Sequence, residues 1–182
     1  MDKQDETIEH MLNSAPLVIF SVYTHSQVET LNNLGSEILG ILDVSIKEKH
    51  IELDFHQVYG KFWLWVIGAY EVVRTMTGKK TGADKCFSDR IQKSLAELKD
   101  SLADIRMPFA KQEIRGKNEK IISYEASIAK IDQKKRDFAF SINGNSIWVR
   151  SSIAKFQTVF SSISRADVLN DLREAERPDK KS

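Results

Sequence analysis

The sequence is sparing in the residues that staple or interrupt a chain. It has one cysteine, Cys86, in 182 residues, which excludes an internal disulfide framework and the chemistry of paired thiols. Only three prolines, at positions 16, 108 and 178, break it, so long stretches are free to be helical. Long apolar runs are missing too: the two longest, around Leu17 to Phe20 and Phe62 to Ala69, fall far short of the roughly 20 residues that span a bilayer. The opening "MDKQDETIEH" has no basic leader followed by an apolar stretch, so no secretory signal is expected and cytoplasmic residence is the simplest expectation. Motifs of known chemistry are also absent: there is no H-E-x-x-H, C-x-x-C or G-x-S-x-G, and no E-x-x-H pair of the di-iron bundle type.

What is present is the balance of a globular chain, 41% apolar and 29% charged, at a length that suits a single domain over 1–182. The net charge of +1 hides an asymmetry. Residues 1–60 hold 3 Lys/Arg against 10 Asp/Glu, and residues 61–182 hold 24 against 16. Such a gradient suits either a nucleic-acid surface or an acidic helix packed beside basic ones.

Periodicity dominates the first two thirds. Residues 3–13 read as a short helix. Pro16 then ends it, and "LVIFSVY" reads as extended because it is rich in β-branched and aromatic residues. Ser26 and Glu29 form an S-x-x-E capping box, followed by Val28, Leu31, Leu34, Ile38, Ile41 and Leu42 at helical spacing. A second helix starts within "HIELDFHQ" and carries a core stripe of Val58, Phe62, Trp65, Val66, Ala69, Val72, Val73 and Met76. A second stripe, Tyr59, Trp63, Ile67 and Tyr70, marks this helix as central, with Gly78 as its stop. The third helix shows one face of Phe87, Ile91, Leu95, Leu98, Leu102, Ile105 and Phe109, with a kink or end expected before Pro108.

After Gly116 the pattern changes. "ISYEASIAK" alternates, and "FAFSINGNSIWVR" is a hairpin turning at Asn143-Gly144. Ser152 is placed to cap a last helix through Ile153, Phe156, Phe160 and Ile163, and "SRAD", Ser164 to Asp167, offers a further capping pattern. The fold class expected is therefore mainly α: an antiparallel bundle over 26–115, a small C-terminal β-hairpin appendage inserted at 118–151, and C-terminal helices over 152–175.

Candidate chemistry gathers on the second helix. Glu71 and Arg74 stand at i, i+3 beside Tyr70, and Arg106, Lys111 and Glu113 follow the third helix around Pro108, where the bundle would bring them near. Such a cluster is either an active site or a structural ion-pair network. "HIELDFH" offers two metal-ligand spacings, His50 with Asp54 and Glu52 with His56, but no third ligand, so no metal or other cofactor is expected. Cys86, near a helix start but without a partner histidine, reads as a packing residue. "TGKKTG" departs from a phosphate loop because Val73 stands where the first glycine belongs and a helix, not a strand, precedes it. Trp148, on the hairpin, is a candidate stacking surface for RNA or a cover for the bundle.

The phrases "KFWLWVIGAYEVVRTM" and "RMPFAKQE" resemble small bacterial proteins of the HEPN-like helical group, over roughly residues 26–115. The resemblance implies an antiparallel bundle. Many members act as RNA-cleaving toxins or defence components, often as dimers or beside a nucleotidyltransferase partner, through an arginine followed four to six residues later by a histidine. Here no histidine follows any arginine: the last is His56 and the first arginine is Arg74, while "RMPFAKQE" keeps Arg106 alone. The resemblance thus implies absent or altered ribonuclease chemistry. The expectation is a non-catalytic module that self-associates, as a homodimer, or binds a protein partner, with no membrane and no small-molecule cofactor. The alternative is an RNA-binding or RNA-cleaving protein that uses the Arg/Glu/Lys cluster.

Overall fold

The computed structural model describes residues 3–48, 51–115, 121–123 and 126–175. The chain is mainly α. Helices α1 (Lys3–Ser14), α2 (Leu17–Phe20), α3 (Val22–Glu48), α4 (Ile51–Met76) and α5 (Asp89–Lys111) precede a short β region, which α6 (Val149–Ser161) and α7 (Leu172–Ala175) follow. A single 3-10 turn, Ala83–Cys86, links α4 to α5. Helix α4 packs along both α3 and α5, and α6 closes the bundle against those two neighbours. The core is the predicted stripes brought together: Phe62, Trp65, Val66, Ala69, Val73 and Met76 of α4 against Ile38 and Leu42 of α3, Ile91, Leu95 and Leu98 of α5, and Ile153 and Phe156 of α6, all buried. A buried bond from Trp65 Nε1 to Leu31 O, 3.1 Å, ties α4 to α3. Close approach is built in at two glycines: a Cβ on Gly68 would meet Leu31 Cδ2 at 2.9 Å, and one on Gly35 would meet Ile153 Cγ2 at 2.9 Å.

"LVIFSVY" is not extended. Leu17 and Phe20, both buried, sit one helical turn apart on α2, and only Ser21 (φ −168°, ψ 125°) is extended before α3 begins. Pro16, at φ −61°, is shaped to start a helix. Burial of Phe20 against Phe87, ring centroids 4.8 Å apart, outweighs the β-propensity of the segment. The start of α3 moves with it. Ser21 Oγ accepts the Thr24 N–H at 3.3 Å, whereas Ser26 lies inside the helix and donates to Val22 O.

Helix α5 runs through Pro108 to Lys111 instead of ending before it. A proline removes one bond and leaves the last carbonyls of a helix to be met otherwise. Gln112, in the left-handed region at φ 53°, returns its N–H to Pro108 O, and the Trp63 indole donates to Phe109 O at 2.8 Å.

The β region exceeds one hairpin. β1 (Glu113–Arg115) pairs antiparallel with β2 (Ile121–Ser123), and β3 (Ser127–Asp132), β4 (Asp137–Ile142) and β5 (Asn145–Trp148) form an antiparallel sheet in that order. The β4–β5 turn falls at Asn143 (φ 51°) and Gly144 (φ 77°), as the sequence requires. The charged "QKKR" stretch closes a second hairpin, with Asp132 Oδ1 accepting the N–H groups of Lys134 and Lys135. The sheet is docked into the bundle: Phe140 lies 4.9 Å from Phe109, 5.7 Å from Phe62 and 5.7 Å from Tyr59, centroid to centroid.

Helix α6 begins at Val149 directly after β5, earlier than a Ser152 cap would place it; Ser152 donates to Trp148 O within the first turn. Its N-terminus is served from a distance, by Asp137 of β4, whose carboxylate accepts the Arg150 N–H at 3.2 Å. The "SRAD" capping box is present as written, with Ser164 and Asp167 bonding reciprocally. No helix among the described residues is long and apolar enough to cross a membrane.

Candidate functional site

Antiparallel packing of α4 and α5 sets Arg106 opposite the Tyr70–Glu71 turn. Arg74 reaches Glu71 Oε2 from Nη2 at 2.6 Å and from Nε at 2.7 Å; Arg106 Nη2 lies 3.4 Å from Oε1 and its guanidinium covers the Tyr70 ring at 4.7 Å. Four of the six residues proposed for the cluster therefore do meet. Lys111 and Glu113 do not: α5 continues past Pro108, and the left-handed Gln112 turns the chain into β1, so neither forms an ion pair with the cluster among the described residues.

The cluster is open to water, with the Glu71 side chain 39% and that of Arg74 59% accessible. Exposed ion pairs of this kind contribute about 0–1 kcal/mol each. Both carboxylate oxygens of Glu71 face guanidinium groups, and the face of Tyr70 is taken by Arg106. Both Glu71 oxygens are thereby engaged, and among the described residues no histidine is bonded to the cluster. Arg106 Nε is buried without an acceptor among the described residues.

His50 lies outside the described residues, Asp54 is placed only as part of the α4 backbone, and His56 is exposed on α4. Among the described residues no group of three or more His, Cys, Asp or Glu side chains could hold a metal. Cys86 is buried, and burial together with the Asp171 and Asp84 carboxylates pushes its thiol pKa up. It is a packing residue. Trp148 is half-buried, with the Lys135 ammonium 5.8 Å from its ring centroid.

A different feature lies one turn before the cluster. Between its contacts with α3 and α5, one side of α4 is left open among the described residues, with Leu64 55% and Trp63 37% accessible beside half-buried Ile67. A Cβ added at Gly60, on the same face, would meet nothing within 4 Å. Charges of both signs bound this strip: Lys61 paired with Glu37 of α3 at 2.7 Å at one end, and Glu71, Arg74 and Arg106 at the other. The sequence held the signal in Trp63 and Ile67, and it marked Gly60 and Gly68 for close approach, of which only Gly68 is filled, by Leu31; Leu64 emerges only once the buried neighbours of α4 are fixed.

Two buried aspartates behave oppositely. Asp167 accepts from Ser88 Oγ and Ser164 Oγ, both at 2.6 Å, from the Ser164 N–H and from Arg90, and these bonds hold its pKa well below the usual carboxylate range. Asp137 is pushed up, because burial outweighs the Arg150 and Phe138 N–H groups that it accepts. Both serve the frame: Asp167 clasps the segment after α6 to the start of α5, and Asp137 caps α6.

The architecture and site thus define a mainly α bundle with a docked antiparallel sheet and an uncovered apolar strip on its central helix. No family model, curated protein or solved structure matches the chain.

Proposed function

We propose that the chain is a non-catalytic helical module that self-associates through the open face of α4. The observation that carries the reading is the apolar strip of Gly60, Leu64 and Ile67, flanked by the partly exposed ring of Trp63, which the described residues leave open on one side of the central helix. Tryptophan and leucine at a third to a half exposure are what an interface core leaves uncovered in the free chain. A second copy suits the strip. With two α4 helices antiparallel about an axis between Leu64 and Ile67, Leu64 of one copy lies over Ile67 of the other and Gly60 admits a close approach. The Lys61–Glu37 end of one copy then meets the Glu71–Arg74–Arg106 end of the other, so that each rim offers both signs of charge. The resemblance to the HEPN-like group adds the setting, a dimer within a stress or defence system without the ribonuclease histidine.

The competing reading, RNA binding or cleavage by the Arg/Glu/Lys cluster, needs its cations free in one cleft. Arg74 and Arg106 are instead engaged with Glu71, and Lys111 and Glu113 stand apart.

The two readings separate on one pair of variants. Leu64→Glu places a carboxylate in the centre of the strip, and light scattering after gel filtration should show it as a monomer at concentrations where the wild type is dimeric. Ile128→Glu, on exposed β3, should stay dimeric. Equal masses for wild type and Leu64→Glu would remove the reading.

A further inference from the structure

The C-terminal end of α4 opens onto a cavity of about 530 Å³ lined by Arg74, Thr75, Thr77, Gly78, Lys79, Lys80, Thr81, Lys99 and Leu172. Four cations and three hydroxyl groups face it, and among the described residues no carboxylate lines it. Thr77, Lys79 and Lys99 also line a neighbouring recess of about 160 Å³, where Met76 and Ala96 supply apolar wall and Asp84, Gln92 and Asp100 supply acceptors. Asp84 Oδ1 is buried and has no hydrogen-bond partner.

Lysines just beyond a helix commonly answer the partial negative charge of its last carbonyls. Here most of that charge is already met within the turn. Val73 O receives the Thr77 N–H and hydroxyl, Thr75 O receives the Gly78 N–H, and Gly78 O receives the Ala83 N–H and the Thr81 hydroxyl. Lys79, Lys80 and Lys99 have no ion pair among the described residues, whereas Arg74 is held by Glu71. Three unpaired ammonium groups around one concavity repel each other, and an anion with several acceptor oxygens relieves that repulsion.

We propose that this cavity binds a small phosphorylated ligand: the phosphoryl group lies among Lys79, Lys80 and Lys99, and a donor-bearing end of the molecule enters the recess to meet Asp84. The two compartments together are of the size that small-ligand sites occupy, a few hundred Å³. The lysines select the phosphate and Asp84 selects an N–H or O–H on the far end. Thr75, Thr77 and Thr81 spend their protons on backbone carbonyls, so their oxygens act only as further walls or acceptors.

The test is a titration of ¹⁵N-labelled full-length protein, followed by amide shifts of Gly78 to Gly82, with inorganic phosphate, adenosine 5′-monophosphate, adenosine and a short oligouridylate. Saturable shifts with phosphate and the monophosphate, none with adenosine, and about tenfold tighter binding of the monophosphate than of phosphate are expected, tenfold being the value of one good hydrogen bond. Lys79→Gln with Lys99→Gln should weaken both phosphate ligands at least tenfold while amide dispersion persists; if that double variant does not fold, Lys80→Gln carries the same test. Asp84→Ala should leave phosphate binding and abolish the advantage of the monophosphate. Absence of saturable shifts, or shifts unchanged in the lysine variants, overturns the site. Oligouridylate affinity that rises with length and exceeds that of the monophosphate also overturns it, in favour of an extended nucleic-acid surface.

Discussion

Removing the charge of Asp167 should destabilise the protein by about 2 kcal/mol at neutral pH, an amount set by the bonds that it collects. The carboxylate accepts from Ser88 Oγ, Ser164 Oγ and Arg90 Nη2, each at 2.6 Å, and from the Ser164 N–H at 3.0 Å, with the residue 7% exposed. Hydrogen bonds to a charged group contribute roughly 1.5–3 kcal/mol each but do not add when they share an acceptor. Arg90 is half open to water and recovers hydration when its partner is lost, so the sum is discounted to about 2 kcal/mol for Asp167→Asn and about 3 kcal/mol for Asp167→Ala. Because the folded pKa lies below the unfolded value near 3.9, the stabilisation is fully present above about pH 4 and is lost as pH falls through the folded pKa. Urea unfolding of wild type and Asp167→Asn, at neutral pH and at steps below about pH 4, reads both quantities. The gap should be about 2 kcal/mol at neutral pH and close on acidification below about pH 4. A gap under about 0.5 kcal/mol, or one independent of pH, would refute the reasoning.

Asp137 should behave in the opposite sense. Its raised pKa means that its contribution is fully present below the unfolded value and declines as pH rises through the folded one, so Asp137→Asn should flatten that decline and cost less than about 1 kcal/mol at neutral pH by the same urea titration. Trp63→Phe leaves Phe109 O at the end of α5 without its donor and should cost about 1 kcal/mol, read as a lower urea midpoint at constant slope. Gly35→Ala drives a methyl group to 2.9 Å from the β-branched Ile153 and should cost about 1–3 kcal/mol, whereas Gly40→Ala, with nothing within 4 Å, should gain about 0.5–1 kcal/mol; thermal unfolding of the pair separates steric from propensity effects. Phe140→Ala removes the ring that joins sheet to bundle and should cost about 3–5 kcal/mol.

The long helices were legible because burial on one side imposes a period that the sequence displays directly. Val58 to Met76 and Ile91 to Phe109 read as helical faces and are core. Short elements were not, because tertiary contacts decide them. Phe20 is helical through its burial against Phe87, which no local propensity announces. Caps failed where the real partner is remote or shifted: Asp137 serves α6 from another strand, and Ser21 displaces Ser26. Asn143-Gly144 and Ser164-Asp167 were readable because their bonds lie within a few residues. The candidate site divides in the same way. Glu71 and Arg74 are neighbours by helical geometry, and Arg106 joins them by antiparallel packing. Lys111 and Glu113 were lost to a proline that the helix tolerates, since the Trp63 bond to Phe109 O lies far off in sequence. The cavity beyond α4 was legible only in part: "TGKKTG" shows Lys79 and Lys80 but departs from a phosphate loop, and Lys99 joins them from the middle of α5, far off in sequence.

Sedimentation equilibrium of the wild-type chain over low to high micromolar concentration bears most directly on the α4 interface. The account predicts a mass that rises with concentration from 20.8 kDa towards twice that value. A mass fixed at 20.8 kDa throughout would contradict it.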